Sequence, residues 1–181
     1  MTLRKAQGDR ADEPEEVMWE GRFIAAKRRG KWEYVSRTRC IQAAVIVAVD
    51  EGHVLLVEQY RVPIAQRCLE LPAGLVGDET AGEAVELAAI RELEEETGYR
   101  ASDMTDLGRY YSSPGMVSES FTLLRAEELE KVGEGGGVPG EEIEVHRVPL
   151  AGIDGFVEAK RAEGVAIDVK LLLLLAASLL R

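Results

Sequence analysis

The 181-residue chain predicts an α+β domain with an αβα-layered core, and three observations carry that prediction. Strand-like segments outnumber helices and do not alternate with them, which argues against a doubly wound parallel sheet. The run IQAAVIVAV (41–49) is apolar but for Gln42, the pattern of a strand buried on both faces. One helical segment lies mid-chain and two more close it. Hydrophobic residues make up 46% of the chain and charged residues 30%, enough apolar material for the core of one domain.

The elements follow in order. Residues 1–15 are charged and without period, and read as a disordered tail; 16–38 read as a small N-terminal antiparallel strand unit, and 39–181 as the main domain. VMWEGRFIAAKRRGKWEYVSR (17–37) reads as two short strands around a basic turn at Arg29-Gly30. A turn at Asp50–His53 returns VLLVEQY (54–60) as the hairpin partner of 41–49. CLELPAG (68–74) is a short strand broken by Pro72 and Gly74. Residues 81–97 read as a helix closed by Gly98. LGRYYSS, FTLLRA and IEVHRV supply three more strands, with the glycine-rich loop GEGGGVPGEE (133–142) before the last. Helices at 151–163 and 168–180 close the chain, the second with Asp168 as N-cap.

Charge excludes some partners. Lys plus Arg total 22 against 33 for Asp plus Glu, a net charge of −11, so the chain lacks the basic footprint of a nucleic-acid or anionic-membrane surface. The apolar run LLLLLAASLL (171–180) is too short to span a bilayer and reads as a buried helix or a dimer interface. The N-terminal residues lack the apolar centre of a signal peptide. The two cysteines, Cys40 and Cys68, sit in strand-like contexts without a CxxC or Cys/His cluster. Zinc is not indicated, and two buried thiols in a reducing cytoplasm suit the pattern better than a disulfide.

The segment RELEEETGY (91–99) is the chemical focus. On an ideal helix Glu92, Glu95 and Glu96 share one face, with Val85, Ala88 and Ala89 one or two turns earlier. Glu94 points away, and Leu87, Ile90 and Leu93 form an apolar stripe on roughly the opposite side. A solvated acidic face is the simple alternative, but such faces interleave lysines and this one has none. Arg91 can orient Glu95 one turn on. Converging hard oxygens without basic relief suit Mg²⁺ or Mn²⁺.

Gly77, five residues, Glu83, seven residues, then Arg91-Glu92-Leu93-Glu94-Glu95-Glu96-Thr97-Gly98-Tyr99 resembles the Nudix box, G-x5-E-x7-R-E-U-x-E-E-x-G-U. Tyr99 departs from the aliphatic choice at the last position. The first glycine has a rival: Gly74, in Pro72-Ala73-Gly74, matches the family's usual strand-end context if the loop carries a three-residue insertion. We take Gly74 as the box glycine. The resemblance implies a Nudix-type αβα sandwich with a mixed sheet over residues 17 to 181. It also implies metal-dependent cleavage of a nucleoside diphosphate, with Mg²⁺ (or Mn²⁺) as cofactor. Glu92 and Glu96 would then be metal ligands, Glu95 a ligand or the orienter of one, and the Ala73 carbonyl a further ligand. Arg91 would hold a carboxylate, and Glu83 would be structural or supporting.

Substrate class comes from outside the box. VEQYR (57–61), ELPAG (70–74), Ser113-Pro114-Gly115 and GKWEYVSR (30–37) resemble the ADP-ribose pyrophosphatase group. That resemblance implies a cytoplasmic homodimer cleaving ADP-ribose to AMP and ribose 5-phosphate. Trp32 or Trp19 would stack on adenine, Arg61 would meet a phosphate, and Pro114 and Gly115 would contact substrate. Each has a plain alternative: a sheet core for the tryptophans, a salt bridge for Arg61, an ordinary turn for Pro114-Gly115. In the group an acidic loop runs into a strand reading E-x-I-x-V; Glu141 fits as base or last metal ligand, with Glu142 in reserve and Glu119 as another contender for the base. His53 and His146 read as structural. Two other readings remain: a hydrolase of another nucleoside diphosphate sugar such as GDP-mannose, and a non-catalytic Nudix-fold binding module.

Overall fold

The computed structural model describes residues 13–38, 42–77 and 83–180. Most of the expected tail, Cys40 and the first residues of the expected 81–97 helix lie outside them. The described residues fall into two compact units, one drawn from Met1–Ile41 and Tyr111–Ser120, the other from Gln42–Tyr110 and Phe121–Arg181.

The first unit is an antiparallel sheet of three strands where the sequence suggested two: β1 (Glu15–Glu20), β2 (Ile24–Arg29) and β3 (Trp32–Arg37), in that order. Gly30, with φ +57°, makes the expected turn between β2 and β3. The extra strand arises because the chain turns at 21–23, where the Gly21 N–H donates to Ile24 O at 2.9 Å, and β1 pairs back on β2, with Lys27 Nζ 2.7 Å from Glu15 and Arg28 Nη2 2.7 Å from Glu16. Residues 111–120, placed in the main domain from sequence, join this unit. The Val35 N–H donates to Met116 O at 2.9 Å, and the Ser118 N–H donates to Val35 O at 2.9 Å.

The second unit has two sheets between helices. Strand β4 (Gln42–Val47) lies between β8 (Ala73–Val76), antiparallel to it, and β10 (Ser120–Lys131), parallel to it; β9 (Tyr99–Tyr111) flanks β10. The other sheet orders β11 (Glu144–Pro149), β6 (His53–Arg61), β7 (Gln66–Glu70) and β12 (Ala166–Ile167), with the two-residue β5 (Val49–Asp50) also on β6. Ala44 and Ile46 of β4 point into the core beneath helix α1 (Val85–Thr97), while Val45 and Val47 point into the core beneath α2 (Ile153–Ala162) and α3 (Leu172–Leu179). The apolar run at 44–48 is explained by this double burial.

Three expectations need correction. β6 is the hairpin partner of β5 and not of β4, because Ala48 turns the chain from one sheet to the other. CLELPAG is divided between β7 and β8: the Pro72 carbonyl accepts from Ile46 N at 2.9 Å while the chain changes sheet. The C-terminal leucines are not uniformly buried: Leu171 and Leu175 enter the core, but Leu172, Leu173, Leu179 and Leu180 are exposed. Asp168 caps a 3-10 turn at Val169–Leu171, accepting from Lys170 N at 2.8 Å, and α3 follows it. Cys68 is a buried free thiol, its pKa pushed up to about 12 mainly by burial. No helix among the described residues is long and apolar enough to cross a membrane.

Candidate active site

Helix α1 ends where the sequence predicts. Gly98 adopts φ +74° and its N–H donates to Glu94 O at 2.9 Å. Which face turns inward differs from the expected stripe. Ala88, Ala89, Leu93, Glu96 and Thr97 are buried, whereas Leu87 is 62% exposed. Packing on β8 and β4 decides this, because it draws in the line of small residues that leads to the carboxylates. Glu94 faces away as expected and pairs with Arg100.

Glu96 is the most buried of the box acids. Its Oε2 accepts from the Ala73 N–H at 3.0 Å. Burial raises its pKa to about 8; the Ala73 N–H opposes this, nearby Glu92 and Glu141 add to it, and Arg61 pulls the other way. Glu92 lies against Gly74, where any Cβ would collide with its carboxyl group. Gly77 is a glycine for a different reason, a left-handed φ of +83° after β8. Of the two rival box glycines, Gly74 is in contact with a box carboxylate. Arg91 Nη1 lies 3.0 Å from Glu92 and 3.3 Å from Glu95, and its Nη2 lies 3.7 Å from Glu83. Glu83 precedes the helix and lies within ion-pair distance of Arg91.

Arg61 is gripped by buried Glu70, with Nε at 2.5 Å and Nη2 at 2.9 Å from the two oxygens. The salt-bridge alternative therefore describes its hydrogen bonds, although its charge is also felt at Glu96. Glu141 is exposed, and its Oε2 accepts from Val138 N at 3.2 Å.

In the N-terminal unit, Trp32, Pro114 and Gly115 line one cavity of about 380 Å³, although some eighty residues separate them in sequence. Lys27, Arg29, Tyr34 and Ser36 line it too. Sequence reasoning passed over these four, yet strand alternation puts 27 and 29 on one side of β2 and 32, 34 and 36 on one side of β3, and the pairing of Lys27 with Tyr34 and of Arg29 with Trp32 makes these one face of the sheet. Trp19 does not line the cavity; its indole covers Gly21. Glu119 is engaged by Arg37 at 2.5 Å.

The box offers hard carboxylate oxygens, and the buried Glu96 between two further acids fits a divalent cation. Among the described residues, however, the group whose ligand atoms lie within 4.8 Å of one another is Glu58, Glu144 and His146, a geometry that could hold a metal. Resident cations already serve it, with Arg67 Nε at 2.5 Å and Lys160 Nζ at 2.9 Å from Glu58. Burial alone would raise the Glu58 pKa, but hydrogen bonds from Arg67, Lys160 and His146 bring it down to about 2.

The NUDIX domain family matches residues 38–169, which include the whole box and both sheets. The chain belongs to the NUDIX family. It is similar to an ADP-ribose pyrophosphatase of Bacillus subtilis (strain 168), 38% identical over 118 residues. That match covers 65% of this chain and 62% of the relative, less than two thirds of its length. A GDP-mannose pyrophosphatase of Cronobacter sakazakii is 35% identical over 143 residues, covering 74% of this chain and 70% of that protein. The crystal structure of an ADP compounds hydrolase superposes with a TM-score of 0.67 at 25% identity, covering 92% of this chain and 91% of that one. The expected NUDIX-type αβα architecture, with mixed sheets and an added antiparallel strand unit, is borne out.

Proposed function

We propose that the chain is a metal-dependent hydrolase that cleaves the diphosphate of ADP-ribose to AMP and ribose 5-phosphate. The observation that carries this is Glu96: a buried carboxylate on the box helix, held by a backbone N–H and flanked by two further acids. Mg²⁺, or Mn²⁺, bound at the box would neutralise diphosphate charge and acidify a water. Glu92, Glu96 and the Ala73 carbonyl are the residues to hold it, with Glu95 as ligand or orienter. Arg91 fixes Glu92 and Glu95. Glu141 accepts a proton or completes the ligand set, and the ion pair at Glu119 makes that residue the weaker base. Trp32, Pro114 and Gly115 contact the nucleoside, for which a flat indole face suits a base. Arg61 steadies a phosphate while Glu70 holds its guanidinium.

A GDP-mannose reading is the second choice, favoured by the relative that matches 74% of this chain. We also read the protein as a cytoplasmic homodimer in which the 16–38 strand unit serves dimerisation and substrate contact. Exposed Val17, Trp19 and Phe23 in that unit, exposed leucines on α3 and the free thiol of Cys68 support this. The test is product analysis on a panel of nucleoside diphosphate sugars with and without Mg²⁺. AMP released from ADP-ribose only with metal is the expected result. GMP from GDP-mannose at a higher kcat/KM selects the second reading, and no cleavage of any diphosphate overturns both.

A further inference from the structure

We infer that Gly135 is a positioning residue: paired with Gly98, it docks the backbone of the 133–141 loop onto the last turn of α1 and so sets Glu141 against the box carboxylates. This rests on the hydrolase reading above.

The last carbonyls of a helix have no partners within it. On α1 two of them are met from a distant segment: the Gly136 N–H donates to Glu96 O at 2.9 Å, and the Gly137 N–H donates to Glu95 O at 3.0 Å. Immediately beyond the helix, the Val132 and Gly133 N–H groups donate to Gly98 O at 2.8 and 3.0 Å. Four donors of residues 132–137 thus bind the last turn of the helix that carries Glu95 and Glu96 and the Gly98 that closes it. A loop of this composition is ordinarily a flexible coil, and here it is held in register.

Two glycines permit the approach. A Cβ on Gly135 would collide with the Thr97 carbonyl carbon, Glu96 O and Gly98 N; a Cβ on Gly98 would collide with Gly133 O and Gly135 N. Every obstructing atom is backbone, so no rotamer change relieves the clash. Both residues also have left-handed φ values, +71° at Gly135 and +74° at Gly98. The turn that bears Glu141 begins directly after this contact. Glu141 N donates to Val138 O at 3.0 Å, and Val138 N returns a bond to the Glu141 carboxylate. The negative charge of Glu141 is among those acting on Glu96. A loop shifted by the width of a methyl group would carry Glu141 with it, and misplacement of about 1 Å costs on the order of 10²-fold in rate.

A cap that served stability alone would show the same hydrogen bonds, so the test must read position. In the full chain, Gly135→Ala is compared with Gly52→Ala, a glycine with similar φ (+76°) and open space around it. Both variants lower Tm. Gly135→Ala alone should lower kcat for ADP-ribose by about 10²-fold with KM held. In a Glu141→Gln background, Gly135→Ala should cost nothing further, because the two changes act through one group. Unchanged kcat in Gly135→Ala or in Glu141→Gln, a loss in Gly52→Ala equal to that in Gly135→Ala, or additive losses in the double variant, overturns the inference. Amide hydrogen exchange on the unaltered chain reads the contact without turnover or any variant: Gly136 and Gly137 N–H should be protected, and free exchange there also overturns it. Protected amides in a chain that cleaves no diphosphate overturn the hydrolase reading and the positioning role with it, while the backbone contact stands.

Discussion

Two glutamates in the same unit, Glu58 on β6 and Glu96 on α1, are 3% and 6% exposed, yet they titrate in opposite directions. Glu58 sits among Arg67, Lys160 and His146, and its pKa falls to about 2. Glu96 has a backbone N–H and two acidic neighbours, and its pKa rises to about 8. Burial is common to both; the partners decide the sign. A charge that holds a fold together is neutralised by the fold itself, here with cations from β7 and α2. The box carboxylate is left short of positive charge, so its cost is relieved by a bound proton or by an arriving cation.

The sharpest way to break the comparison is Glu96→Gln. Hydrolysis should fall on the order of 10²–10³-fold, the scale of one lost electrostatic contact in a preorganised site. Metal-free Tm should stay level or rise, because like-charge repulsion is relieved. A collapse of Tm would place Glu96 in the same structural class as Glu58.

Glu58→Gln should behave in the opposite way. Removing one partner of a buried ion network costs about 3 kcal/mol, measured by denaturant unfolding. Activity per folded molecule should be preserved. A variant as stable as the parent but inactive would make the Glu58 cluster functional instead.

Titration sharpens the contrast further. Glu96 has its pKa raised from 4.5 to about 8, so the folded state holds a proton that the unfolded state has released. The stability it contributes is fully present below about 4.5 and is lost as pH rises towards 8. Glu58 has its pKa lowered from 4.5 to about 2, so its contribution is present above 4.5 and is lost as pH falls towards 2. Metal-free melts across pH should show both arms, with Glu96→Gln flattening the upper one and Glu58→Gln the lower. Mg²⁺ affinity should rise with pH up to about 8, because the ion displaces the Glu96 proton.

The smallest effect belongs to Glu94, inside the same acidic run. It pairs with Arg100 on the solvent side. Glu94→Ala should leave both Tm and kcat unchanged within error, since exposed pairs contribute little. A loss of activity there would mean that the division of the run by helical face is wrong.

Much of this was legible in the chain. The 3.6-residue period separated Glu94 from Glu92, Glu95 and Glu96, and Gly98 marked the end of α1. The apolar run at 41–49 announced a doubly buried strand. Trp32 and Pro114-Gly115, chosen on separate grounds, line one cavity. Local pattern failed where a neighbour decided the outcome. Leu87 read as core because it is apolar at the right spacing, but it is exposed, while Ala88, Ala89 and Leu93 take the buried side of α1. Arg61 read as a phosphate contact or a salt-bridge partner, and nothing local named Glu70, nine residues on, as the residue that holds its guanidinium across the β6–β7 pair.

The amino-acid order by itself determined the identity of the acidic helix, its terminus, the layered class of the fold and the family, because these depend on period, on glycine and on spacing along one element. Which carboxylate is starved of positive charge and which is saturated was decided only by tertiary structure. Glu58 and Glu96 are the same residue type at similar depth; Arg67, Lys160 and His146 reach one from three other elements, and the Ala73 backbone and Glu141 reach the other. RELEEETGY declares its acids, but the electrostatics that make one of them useful come from residues it does not contain.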